Sequence, residues 1–215
     1  MQSEKARADR GYHHGNLREA LVDAGLELAR VGGPSAVVLR EASRRAGVSH
    51  NAAYRHFANQ EDLLAAVSER CMTKLGLLML ERTAAVTARG KVKRAQARLE
   101  AIGRAYIDFA RAEPGWFRTA FTSTEGHVAE LPADDAPVPS DPGTSPFALL
   151  NARLDELVEV GSLAPERRPG AEYAAWSSVH GLSSLLLDGP LRALPEAEVE
   201  TAIASVLGNV NHGLY

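Results

Sequence analysis

Cysteine is almost absent: Cys71 is the only one in 215 residues, so no internal disulfide and no cysteine-based zinc cluster can form. No run of about 18 apolar residues reaches the length of a membrane span, and the opening MQSEKARADRGYHHG lacks the apolar core of a signal peptide. A cytoplasmic chain with no membrane partner is the expectation. Missing too are alternating β-branched runs that would mark strands, a G-x-S-x-G elbow, a glycine-rich phosphate loop and an H-E-x-x-H metal pair. Ser177, His180 and Asp188 share one helical stretch, but sequence proximity does not make a triad without geometry. The absences weigh against an enzyme, and neither cofactor nor metal is expected.

Net basicity is lacking as well. The formal charge is −3, which argues against a nucleic-acid binder on whole-chain grounds. The average conceals a polarity. Residues 1–58 carry 9 Lys and Arg against 6 Asp and Glu, together with His13, His14, His50 and His56, and the remainder is acidic. A polyanion would dock at the first quarter of the chain.

What is present is helical periodicity. Leu17, Ala20, Leu21, Ala24, Leu28 and Val31 fall on one face of a helix that Asn16 and Glu19 would cap and Gly32-Gly33-Pro34 would end. A short helix reads from Leu39 to Ala46, with Leu39, Ala42, Ser43 and Ala46 inward. Gly47 turns the chain, and Ser49 N-caps a third helix over His50–His56, with Ala53 and Phe57 inward and His50, Asn51, Tyr54 and Arg55 outward. Asn59, followed by Gln60, Glu61 and Asp62, opens a fourth helix that continues through Leu63, Leu64, Val67 and Cys71 towards Val86. Further helical stretches lie near 91–112, 114–122, 146–161, 170–188 and 195–211. Between them, residues 122–146 are rich in Pro, Asp, Gly and Ser and read as a long mobile acidic loop.

Two short helices joined by a glycine turn, the second exposing hydrogen-bonding side chains, form a helix-turn-helix pattern. A helix fits the major groove, where Asn can pair with adenine and Tyr or Arg can hold phosphates. A carboxylate there would repel the backbone, and the stretch GVSHNAAYRHFANQEDLL holds none before Glu61.

That stretch, with Ala46 before it, resembles the DNA-binding signature of the TetR (tetracycline repressor) family over about residues 16–67: Ala-Gly-Val-Ser, a variable pair, Tyr-x-His-Phe and Glu-x-Leu. The resemblance implies an all-α chain, with a flexible basic arm at 1–15, a three-helix DNA-binding domain at 16–60 and a helical ligand-binding and dimerisation domain at 61–215. It implies a homodimer on a near-palindromic double-stranded operator. His50, Asn51 and Tyr54 would face bases or nearby backbone, Arg40 the groove edge, and Arg44, Tyr54 and His56 the phosphates, with Ser49 and Arg55 in the same surface. Three positions depart from the pattern. Val38 replaces a capping Thr, Ala52 a Thr on the recognition helix and Gln60 a phosphate-binding Lys, which shifts phosphate contact towards Lys5, Arg7 and Arg10 of the arm.

The stretch AAWSSVHGLSSLLLDG is similar to a C-terminal domain type of this family named for Trp, His and Gly, here Trp176, His180 and Gly181. In such domains the last two helices pair with their copies in the partner. An effector pocket would draw on Tyr106, Phe109, Trp116, Phe117, Phe121, Trp176 and His180. Aromatics at helical spacing are more often plain core. His180 has the stronger claim, because a buried imidazole needs a hydrogen-bond partner. Cys71 reads as a small buried hydrophobe and not a redox sensor. His13 and His14 lack the spacing of a metal site. Two regulatory readings follow: a repressor released by a small apolar or amphipathic molecule, which needs a cavity, and a regulator whose second half is a protein-assembly surface, which needs none.

Overall fold

The structure is a computed structural model that describes residues 17–122 and 143–213. The basic arm, the Asn16 cap, the histidine pair and residues 123–142 of the acidic loop lie outside the described residues. All regular elements among those described are helical. In chain order they are α1 (Leu17–Gly32), α2 (Leu39–Arg45), α3 (His50–Ala53), α4 (Gln60–Ala84), α5 (Lys91–Ala112), α6 (Pro114–Ala120), α7 (Pro146–Glu159), α8 (Ala171–Leu187) and α9 (Glu196–Gly213), with single 3-10 turns at Pro34–Ala36 and Pro165–Arg167. The described residues divide into two compact units, one formed by residues 17–71 with 115–122 and the other by 72–114 with 143–213. In this division the start of α4 and the whole of α6 belong with α1 to α3.

In the first unit the core is Leu21, Val22, Leu26, Leu28, Val37, Leu39, Ala42, Ala53, Phe57, Leu63 and Val67. Each large side chain so buried contributes roughly 1.5–3 kcal/mol relative to exposure. The face expected for α1 is corrected here. Val31 is 87% exposed and Ala20 is exposed, whereas Val22, Gly25, Leu26 and Ala29 join Leu21 and Leu28 inside. The reason is a helix covered on two sides. Gly25 lies so near α4 that a Cβ would sit 2.7 Å from Val67 Cγ2, and on the other side Gly115 of α6 approaches the Ala29 and Arg30 carbonyls. Trp116 of α6 donates its indole N–H to the Leu26 carbonyl at 2.8 Å, with the Arg30 guanidinium 4.9 Å from its ring centre. Ser68 of α4 donates to the Ala120 carbonyl at 3.1 Å.

The second unit is a bundle in which α5 packs against α7, α8 and α9, and α8 against α7 and α9. Its core includes Leu75, Leu99, Ile102, Tyr106, Leu154, Leu157, Val179, Leu182, Ile203 and Leu207. At Gly103 a Cβ would come 2.7 Å from Leu207, so glycine lets α5 and α9 close up. Ion pairs join the same helices at their rims: Arg104 holds Glu200 through both Nη atoms at 2.7 and 2.9 Å, and Arg111 holds Glu196 at 2.6 Å. Partly exposed pairs of this kind contribute about 0–1 kcal/mol each.

Gly115 yields a test. A Cβ there would meet two backbone oxygens at 2.3 Å, and neither can rotate away. Helix propensity alone would favour alanine by about 1 kcal/mol, but overpacking costs roughly 1–3 kcal/mol. Gly115→Ala is expected to be destabilising in urea unfolding, and a stabilised variant would refute this close approach.

Candidate nucleic-acid interface and aromatic cluster

The turn between α2 and α3 is built by backbone bonds. Gly47 adopts φ of 68°, the Val48 N–H reaches back to the Ser43 carbonyl at 3.0 Å, and the Gly47 N–H bonds the Arg44 carbonyl at 3.3 Å. This is the Schellman closure that ends a helix with a left-handed glycine. Ser49 then caps α3, its hydroxyl accepting from the Ala52 N–H at 3.2 Å. The hydroxyl placed in the reading surface is thus engaged by its own helix.

α3 is shorter than the expected His50–His56. Regular helix stops at Ala53, and Arg55 and His56 close tighter turns onto the Ala52 and Ala53 carbonyls. The cause is Phe57, buried to 2% exposure, which draws the chain inward with Ala53 below it. His50, Asn51, Tyr54, Arg55 and His56 are all exposed. The His50 and Tyr54 rings meet edge to face with centres 4.7 Å apart, which fixes both at the mouth of this surface. Asn59 caps α4 through the Asp62 N–H at 2.7 Å.

On α2, Arg40 is exposed, but Arg44 is not idle. It grips Glu41 through Nε and Nη2 at 2.9 and 2.7 Å, and Arg45 adds a contact at 3.3 Å. The Arg44 hydrogen bond, with Arg45 assisting against partial desolvation, holds the Glu41 carboxyl down to about 2. An exposed pair of this kind is weak enough to exchange for a phosphate. The Val38 departure has a visible counterpart: this residue occupies the N-cap of α2 and supplies no side-chain cap.

The seven aromatic and histidine candidates separate. Trp116, Phe117 and Phe121 belong to the first unit, where Trp116 is bonded to α1 and the two phenyl rings lie 5.0 Å apart. Tyr106, Phe109, Trp176 and His180 belong to the second. Phe109 is buried on α5, and the other three are joined directly. The Trp176 Nε1–H donates to Tyr106 Oη at 3.2 Å, and that oxygen lies 2.7 Å from His180 Nδ1. Burial pushes the Tyr106 phenol well above its ordinary range and draws the His180 imidazolium below 6.5. A neutral imidazole accepting at Nδ1 from the phenol, while the phenol accepts from the indole, satisfies this chain of donors and acceptors. Phe147 was not anticipated from sequence, yet its ring packs 5.8 Å from Trp176 and 6.3 Å from Tyr173. It sits just past the Pro-rich stretch, where no periodicity yet exists to place it.

The lowered His180 value fixes the sign of a pH effect. Above 6.5 neither state binds the proton; below it the unfolded chain does and the folded chain resists, so stability falls as pH drops. His180→Gln removes that component. Comparing urea midpoints at about pH 7.5 and about pH 5.5, the drop is expected to be smaller in the variant, and an unchanged drop would remove His180 from this role.

Comparison with known families agrees with this geometry. Residues 21–67 match the model of bacterial regulatory proteins, tetR family, and residues 99–209, more than half of the chain, match the tetracyclin repressor-like C-terminal domain. No curated protein matches the chain. Among solved structures it is similar to a protein of unknown function from Rhodococcus sp. RHA1, at 24% identity and TM-score 0.71 over 94% of this chain and 97% of that one. A TetR family transcription regulator from Marinobacter aquaeolei VT8 aligns at 18% identity and TM-score 0.60 over 95% and 97% of the two chains. A TetR variant from Acinetobacter baumannii AYE in complex with minocycline aligns at 18% identity and TM-score 0.58 over 90% and 93%. Identities this low speak to the fold, and the family models carry the assignment: the chain belongs to the tetR family of bacterial DNA-binding transcription regulators.

Proposed function

We propose that the chain is a homodimeric repressor whose two recognition helices bind a near-palindromic operator and which a small apolar or amphipathic effector releases. The observation that carries the reading surface is α3 itself: capped by Ser49, anchored by Ala53 and Phe57, and presenting His50, Asn51, Tyr54 and Arg55 to solvent. Asn51 and His50 would read base edges; Arg40, Arg44, Tyr54 and His56 would hold backbone. Two such helices must stand about 34 Å apart to enter successive major grooves. The second unit would serve as the effector and dimerisation domain.

Support for pairing comes from the outer faces of the last two helices. Ala174, Ser177 and Ser184 on α8, with Ala197, Ala204 and Ser205 on α9, are exposed small residues, and among the described residues no other element lies within 4 Å of a Cβ built on Gly181. Small side chains at such spacing let helices of a second copy approach closely. Support for an effector comes from the related fold holding minocycline in the Acinetobacter baumannii protein, and from the Tyr106, Trp176 and His180 cluster, which sets polar groups in an apolar interior.

Selection from a random DNA duplex pool at fixed salt is the test. The purified chain is expected to enrich an inverted repeat and to sediment as a dimer at micromolar concentration. Asn51→Ala should weaken that repeat by about 1–3 kcal/mol and relax preference at one position per half-site. A monomer, or a repeat bound equally by Asn51→Ala and Tyr54→Ala proteins, would overturn this placement of the reader.

A further inference from the structure

A half-open cleft of about 370 Å³ lies within the second unit, apart from the aromatic cluster. Its apolar wall comes from Leu80 and Ala84 at the end of α4, Ile102 on α5 and Leu149 on α7, and Thr83 adds its methyl side because its hydroxyl is spent on the Met79 carbonyl at 2.7 Å. The polar wall is two guanidiniums, Arg98 from α5 and Arg153 from α7. They share one counter-ion. Arg98 Nη1 meets Glu156 Oε1 at 2.7 Å and Arg153 Nη1 meets Glu156 Oε2 at 2.6 Å, all three side chains being largely shielded from solvent.

Two cations against one carboxylate leave a single positive charge facing an apolar wall. The pairing is also incomplete. An arginine binds a carboxylate at full strength through two parallel N–H bonds, whereas Glu156 gives each guanidinium only one oxygen. The buried Arg98 Nε–H has no hydrogen-bond partner among the described residues. An orphan donor of this kind is costly to keep buried, and the guanidinium nitrogens that Glu156 leaves unused on both arginines can share a second carboxylate. One residual charge matches a monoanion and not a phosphate dianion. At about 30 Å³ per water-sized group the cleft has room for roughly a dozen such groups.

We propose that this cleft binds a medium-chain carboxylate, the headgroup shared between Arg98 and Arg153 and the chain lying along Leu80, Ile102 and Leu149. The inference deepens the effector reading and rests on it. Glu156 then acts as an internal mimic of the ligand headgroup, competing for the same donors.

Calorimetric titration of the purified chain with decanoate, decan-1-ol and decylamine tests this directly. Decanoate is expected to bind once per chain, decanol about tenfold to a hundredfold more weakly and decylammonium not at all, since a hydrogen bond to a charged group is worth that factor. Arg153→Met should weaken decanoate by a similar factor and leave decanol unchanged. Glu156→Gln supplies a variant whose expected effect is a gain: with the internal competitor neutralised, decanoate binds about tenfold tighter, an outcome no structural role for Glu156 produces. Equal binding of decanoate and decanol, no binding by the folded chain, or looser binding by Glu156→Gln would each overturn the proposal. Operator selection run in parallel separates the two readings. A chain that enriches an inverted repeat but ignores decanoate defeats this inference alone, and one that binds decanoate but enriches no DNA defeats the regulator reading.

Discussion

A helix of four residues such as α3 cannot hold itself. Its nucleation is unfavourable, and a single hydrogen-bonded turn in water would be unfolded most of the time. What keeps α3 in place is the burial of Ala53 and Phe57, four positions apart, beneath an exposed polar surface. The Schellman turn at Gly47 and the Ser49 cap set where the helix starts, and Phe57 sets where it must end. Because both ends are fixed, His50, Asn51 and Tyr54 have few ways to be displaced. The exposed surface of α3 is free to be polar because His50, Asn51 and Tyr54 are not needed to fill the core.

The same division of labour recurs elsewhere. Ser43, Ser68, Thr119 and Ser183 are buried hydroxyls, and each donates to a backbone carbonyl. They cost little because each is hydrogen-bonded, three within their own helix and Ser68 across to α6. The Arg–Glu pairs between α5 and α9 lie at the rim, where solvent screens them, and they orient helices that the apolar core holds together. Arg98, Arg153 and Glu156 break this pattern. Two guanidiniums that line a cleft share one carboxylate, and one buried donor, Arg98 Nε, has no partner among the described residues.

Helix positions were legible in the sequence because capping residues and glycine turns act locally: Ser49, Asn59 and Gly47 each do what their type and spacing imply. The inner face of α1 was not, since its second covering surface comes from α6, about ninety residues further along, and through Gly115, which no hydropathy count registers. For the same reason the aromatic residues sorted into two units in a way that spacing could not foresee. Trp176 and His180, four apart on one helix, were readable as neighbours; the Tyr106 hydroxyl between them was not, because that contact crosses from α5 to α8. Arg98 and Arg153 look like ordinary helix-surface charges until the fold puts both on Glu156.

An effector can move a DNA-binding equilibrium only by as much as it prefers one conformation over another. A hundredfold loss of operator affinity requires a preference of about 2.7 kcal/mol. One charge-assisted headgroup contact is worth roughly 1.5–3 kcal/mol, so a single carboxylate in the cleft suffices in magnitude if its grip differs between states. Leu80, Thr83 and Ala84 belong to the last turns of α4, and the first turn of that helix, capped by Asn59, directly follows the buried Phe57 that holds α3.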